Sequence, residues 1–289
     1  MNNRKSFLLA TPFYLVFLCF FLIPLILTVI VSFWDYNEYS IIPDFIFENY
    51  AYIFNNCFDH SKDVCVTFKT YLSTFYFCFL SWLFTLIIGF TIAYFLAFHV
   101  KSLGLQITLF LICTIPFWTS NVIRMVSWIP LLGRNGLFNS FLLSTGIIDE
   151  PQEWFLYSHF SVVLAFIHLY TLFMIVPIFN SMLRIDKSII EAAYDTGANG
   201  FQILINIIIP LCKPGIVIGS IFVITVVMGD FITIGIMGGQ QLASIGKVIQ
   251  VEMSYLQLPA AAANAVILLA LTLLRSQEFI EWAQRDKHQ

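Results

Sequence analysis

The chain has 289 residues, of which 59% are hydrophobic, 17% aromatic and only 11% charged. Soluble proteins carry roughly 25% charged residues, so the composition excludes an ordinary soluble enzyme and calls for a polytopic membrane protein. The net charge of −3 gives no footing for nucleic acid or a strongly charged partner.

Crossing the hydrocarbon takes about 20 mostly apolar residues in a helix. On that criterion a first span covers about 7–33, with Pro12 and Pro24 tolerated as in other membrane helices. Arg4 and Lys5 precede it, but the apolar run is too long for a signal-peptide core and no small-residue cleavage site follows, so it reads as a retained anchor. The polar connection 34–70 holds six acids and two lysines. A second span is expected over 71–98 and a third over 105–132, interrupted by Pro116 and carrying Arg124. After the loop 133–159 comes a fourth span at 160–182. The polar interval 184–213 leads to a fifth span at 214–237, which carries Asp230. A final loop and a sixth span at 256–274 precede a charged tail.

The distribution of Lys and Arg orients these spans. With the N-terminus inside, nine basic residues fall on inner segments (Arg4, Lys5, Lys101, Arg184, Lys187, Lys213, Arg275, Arg285, Lys287) and four on outer loops (Lys62, Lys69, Arg134, Lys247). Both termini and the interval 184–213 are therefore expected in the cytoplasm. The chain reads as an all-α integral membrane protein of six helices and a single domain over 1–289, with no internal repeat. Cys57 and Cys65 share an outer loop and either pair or remain free thiols.

Catalytic chemistry is absent from the pattern. No His-Glu-x-x-His or Gly-x-Ser-x-Gly occurs, and no metal-ligand spacing stands out. The stretch 238–247 resembles a phosphate loop but has Gln241 where the first glycine is needed and Val248 in place of the Mg²⁺-binding hydroxyl. The chain is read as a non-enzyme with no bound cofactor, so ATP and Mg²⁺ would be handled by a partner.

Two charges fall inside spans, Arg124 and Asp230. A centrally placed charge costs about 2.5–3.5 kcal/mol on insertion scales, so such groups face a cavity or each other. At 1.5 Å per residue, Arg124 lies about 28 Å from the start of span three and Asp230 about 24 Å from the start of span five. At similar depths, they either line a translocation path or form a buried pair that fixes two helices. Trp118, Trp128 and Tyr170 near that level offer π faces to a cation, or serve as packing and interfacial residues.

The interval 184–213 carries the most specific signal. Glu191-Ala192-Ala193 is followed by Gly197, then by Ile207 and Ile209-Pro210, and the polar residues Asp195 and Asn199 lie between. Helix formers before Gly197 and the turn pair Asn199-Gly200 predict helix, turn, helix, the second segment at 201–209 stopping at the break between Pro210 and Pro214.

This spacing resembles the E-A-A-x₃-G-x₉-I-x-L-P loop of permease subunits from binding-protein-dependent ABC importers, with Ile209 in place of Leu. Further along, Pro116-Phe117-Trp118-Thr119-Ser120 with Arg124 and Trp128, and Gly229-Asp230-Phe231-Ile232-Thr233, are similar to the spermidine/putrescine branch. Ile234 replaces that branch's usual proline, and 256–259 lacks its Asp-Trp-Pro. The resemblance implies a type I importer permease in a bacterial inner membrane. Its loop residues Glu191, Ala192, Ala193, Asp195, Gly197, Asn199 and Pro210 would dock on a dimeric ATPase. A second permease and an extracytoplasmic solute-binding protein would complete the assembly, with polyamine as cargo. The same class of importer for a ferric ion, an inorganic anion or another organic cation is the alternative, and an ion-coupled secondary transporter a more distant one.

Overall fold

The computed structural model describes residues 11–37, 40–54 and 65–284. In chain order its helices are α1 (Thr11–Val31), α2 (Glu48–Ile53), α3 (Val66–His99), α4 (Leu103–Trp118), α5 (Asn121–Leu132) and α6 (Leu137–Ser144). There follow α7 (His159–Met182), α8 (Lys187–Asp195), α9 (Gly200–Gly229), α10 (Ile232–Met237), α11 (Ile245–Ser254) and α12 (Leu258–Gln284). A two-residue ribbon pairs β1 (Asp35–Tyr36) antiparallel with β2 (Ile41–Ile42). Among the described residues five helices, α1, α3, α7, α9 and α12, are long and apolar enough to cross a membrane, and α4 with the α5–α6 segment, bent by 89°, meets the same requirement as a pair, for up to six spans. The fold is all-α and multi-pass.

The described residues up to Lys69 together with Val248–Leu271 form one compact unit, and Thr70–Lys247 with those from Thr272 onward form another. In the first unit no residue of α1 is buried against protein, as suits a helix whose solvent is lipid. Beyond α1, Asn49 holds the chain by donating through Nδ2 to the carbonyls of Ser32 (3.0 Å) and Trp34 (2.8 Å). Phe33 packs among Phe45, Phe47 and Tyr50. Cys65 is disulfide-bonded, whereas Cys57 lies outside the described residues.

The second unit is built on α7 and α9, drawn together by small residues. Met174, wholly buried, is at the centre. A Cβ added at Gly219 would sit 2.7 Å from its Sδ, and one at Gly89 on α3 would sit 2.9 Å from its Cγ. Gly215 likewise faces the backbone carbonyl of Pro177. In lipid, where burial of apolar surface gives helices little reason to associate, close backbone approach of this kind supplies the packing. Polar ties add to it: Trp82 Nε1 donates to Ser220 Oγ (2.8 Å), and Ser161 Oγ donates to the Met237 carbonyl (2.9 Å).

The structure departs from the sequence reading at several boundaries. Span three is not one helix over 105–132. After a 3₁₀ turn at Ile115–Trp118 the chain becomes extended at Thr119 and Ser120, and the two halves differ in direction by 89°. Pro116, without an amide, weakens the ladder there, and Thr119 Oγ1 donates instead to the Pro116 carbonyl (2.8 Å). The expected stop between Pro210 and Pro214 is absent. A π turn at Leu204–Ile208 leads directly into the helix Ile209–Gly229, in which Pro210 occupies the first turn. A wide turn reroutes the bonds that proline cannot make. The fifth span ends at Gly229 rather than 237, and α12 starts at Leu258 and runs on to Gln284.

Candidate functional site

Two groups of residues answer to the expected site, and both lie in the second unit. The first is the loop between α7 and α9. Asp186 caps α8 by accepting from the Ser188 amide (3.1 Å), and this backbone hydrogen bond holds its carboxyl below the usual range. Helix α8 presents Glu191, Ala192 and Asp195 to the outside, with Ala193 half-buried. The turn follows at Gly197, whose φ of +86° falls in the left-handed region, where side chains other than glycine's are strained. Asn199 and Gln202 then form a reciprocal capping box at 2.9 Å each, which starts α9. Pro210 lies one helical stretch later, inside the continuous rod. Glu191 through Asn199 thus form one exposed protrusion, while Pro210 belongs to its base. Tyr194 and Phe201 add exposed aromatic surface to the protrusion, a feature that the EAA spacing does not mark.

The second group lies where the broken span meets α7 and α9. Arg124, in the first turn of α5, is only 8% exposed. Its guanidinium donates through Nη2 to Asn121 Oδ1, and its Nε finds no partner. Asp230 stands at the break between α9 and α10, its backbone extended (φ −77°, ψ 112°). One carboxylate oxygen accepts from the Thr233 amide (2.8 Å). The other accepts from the Thr233 hydroxyl (2.6 Å) and from the Tyr170 hydroxyl on α7. No ion pair joins Arg124 to Asp230, so a buried pair fixing two helices is not what these charges form. The carboxylate instead serves as the cap of α10 and as a tether to α7.

The tryptophans separate. Trp118 is 84% exposed at the bend. Trp128 Nε1 donates to His168 Nδ1 (3.0 Å), and the rings meet edge to face. Arg124, His168 and Thr171 line a cavity of about 170 Å³ together with Cys113, Pro116 and Phe117. The sequence reading passed over Asn121 and His168, and named Thr233 only as part of the 229–233 signature. Asp-x-x-Thr at a helix start is a capping pattern, so Thr233 had a local signal. His168 had none, because its partner lies 40 residues away. Among the described residues no cluster of potential metal ligands occurs.

The sequence matches no family model. It is 36% identical over 193 residues to the spermidine/putrescine transport system permease protein PotB of Salmonella typhimurium, an alignment that takes in 65% of this chain and 66% of the relative, just under two thirds of its length. The PotB protein of Haemophilus influenzae is 30% identical over 255 residues, covering 87% of this chain and 84% of that one. In fold the chain is similar to a chain of a bacterial alginate ABC transporter solved in complex with an alginate pentasaccharide-bound periplasmic protein, with a TM-score of 0.74 and 17% identity over 98% of this chain and 96% of the other. The chain belongs to the family of ABC-importer permease subunits that includes PotB, and is accordingly a non-catalytic, multi-pass inner-membrane subunit.

Proposed function

We propose that this chain is one of two membrane-spanning subunits of an ATP-driven importer whose cargo is a polyamine of the spermidine/putrescine class. The observation that carries the cargo is the relationship to PotB permeases, which reaches 255 residues. The α8 protrusion, from Glu191 to Asn199, is read as the surface gripped by a dimeric ATPase on the cytoplasmic side. A second permease subunit and an extracytoplasmic solute-binding protein complete the assembly, and ATP with Mg²⁺ is held by the ATPase. Closure of the ATPase dimer on ATP would displace the protrusion, and α9, continuous with it, would carry the displacement to the Asp230 break. Arg124, Asp230 and Trp128 belong to the polar interior that the cargo passes, and Trp118 flanks it at the bend.

The test is uptake of radiolabelled spermidine and putrescine into proteoliposomes holding the complete importer, with ferric ion, phosphate and choline as competing cargoes. ATP-dependent accumulation of the polyamines alone is expected, and accumulation of a competitor instead overturns the cargo. Glu191→Ala and Gly197→Val should each lower uptake at least tenfold without reducing the amount of permease in the membrane. Unchanged uptake in both would remove the docking role.

A further inference from the structure

We infer that the cavity beside Arg124 is a binding site for a small monovalent anion of chloride's class, at mid-depth in the membrane. The cavity lies between α3, the bend of the broken span and α7, and its lining includes His168 and Thr171 from the middle of α7. Arg124 lines it from a position more than nine-tenths buried, and among the described residues its guanidinium has Asn121 as its one side-chain hydrogen-bond partner, through Nη2. A guanidinium has five donors and no acceptor, so only an acceptor can complete its shell.

The remaining groups favour an anion over a neutral acceptor. No aspartate or glutamate lines the cavity, and Asp230, the acid of the same region, is engaged by Thr233 and Tyr170. His168 Nδ1 accepts from Trp128, which leaves the neutral ring's proton on Nε2 and makes His168 a donor. Arg124 also stands in the first turn of α5, a helix of 12 residues with no side-chain cap on its N-terminus, where the helix dipole adds positive potential. A buried cation with a second donor and an uncapped helix start, in a volume of about 170 Å³, suits one small anion with a little water. An anion held there would neutralise Arg124. The inference does not depend on the cargo.

The complete complex, purified in nanodiscs, is followed by thermal unfolding in sodium chloride and in sodium gluconate at equal ionic strength. A ligand that binds the folded state raises the midpoint in a saturable way. A higher, saturating midpoint in chloride is expected, and Arg124→Gln should abolish the difference. His168→Ala, a milder change at an exposed position, should raise the half-saturating chloride concentration about tenfold, which keeps the test available if Arg124→Gln does not assemble. In crystals grown with bromide, anomalous density should appear beside Arg124. Equal midpoints in the two salts, a chloride effect that survives both substitutions, or absent bromide density would each overturn the site.

Discussion

Asp230 shows how far a single residue can be read in advance. A charge in an apolar run is visible in the sequence because it is costly there, and that singled out both Arg124 and Asp230. Their near partners, Thr233 for Asp230 and Asn121 for Arg124, lie three residues away and within reach of local patterns, but Tyr170 was not visible, because it is 60 residues from Asp230. The depth arithmetic failed for Arg124 for a related reason: a rise of 1.5 Å per residue holds only along a straight helix, and the chain turns by 89° just before it. Glu252 on α11, outside the spans, was not singled out at all. Burial pushes its carboxyl up, against the opposing effect of Asn264, whose Nδ2 donates to both oxygens at 3.0 Å. A raised carboxyl favours the protonated folded state, so the stability it contributes is present below the ordinary glutamate range and is lost as pH rises through the raised value. Thermal midpoints between pH 4 and 8 should show that loss in the wild type, and Glu252→Gln should flatten it.

At the level of elements, the loop between α7 and α9 was the most legible part. Helix formers, a glycine at the turn and an Asn-x-x-Gln box are local signals, and α8, Gly197 and the start of α9 lie where those signals put them. The prolines were misleading because their effect depends on neighbours. Pro116 breaks its helix, whereas Pro177, packed against Gly215 and Gly219, and Pro214 sit inside intact ones. The glycines that draw the helices together carry a prediction. Gly219→Leu would place a side chain on Met174, already wholly buried. Overpacking of this kind costs about 1–3 kcal/mol, so the variant should unfold at a lower detergent fraction in a denaturing-detergent titration, while Gly229→Ala, with nothing near its added Cβ, should not.

For the whole molecule, composition alone yields the class of protein, and the spacing from Glu191 to Pro210 its family. The number of spans follows from apolar length, since five helices and one bent pair meet that requirement. The division into two compact units was not legible, because it depends on which helices pack together and not on any boundary in composition. The continuous α9 has a mechanical consequence. A helix of 30 residues is a rod about 45 Å long at 1.5 Å per residue. Pivoted at one end, it would carry the other through about 8 Å for a tilt of ten degrees. Its far end is fastened to α7 through Asp230 and Tyr170, and its middle is keyed to the same helix at Gly215 and Gly219. Two shafts joined at three heights cannot slide past each other. A push on the α8 protrusion would therefore turn the α7–α9 pair as one beam, with the Gly197 turn, at its unfastened end, as the hinge.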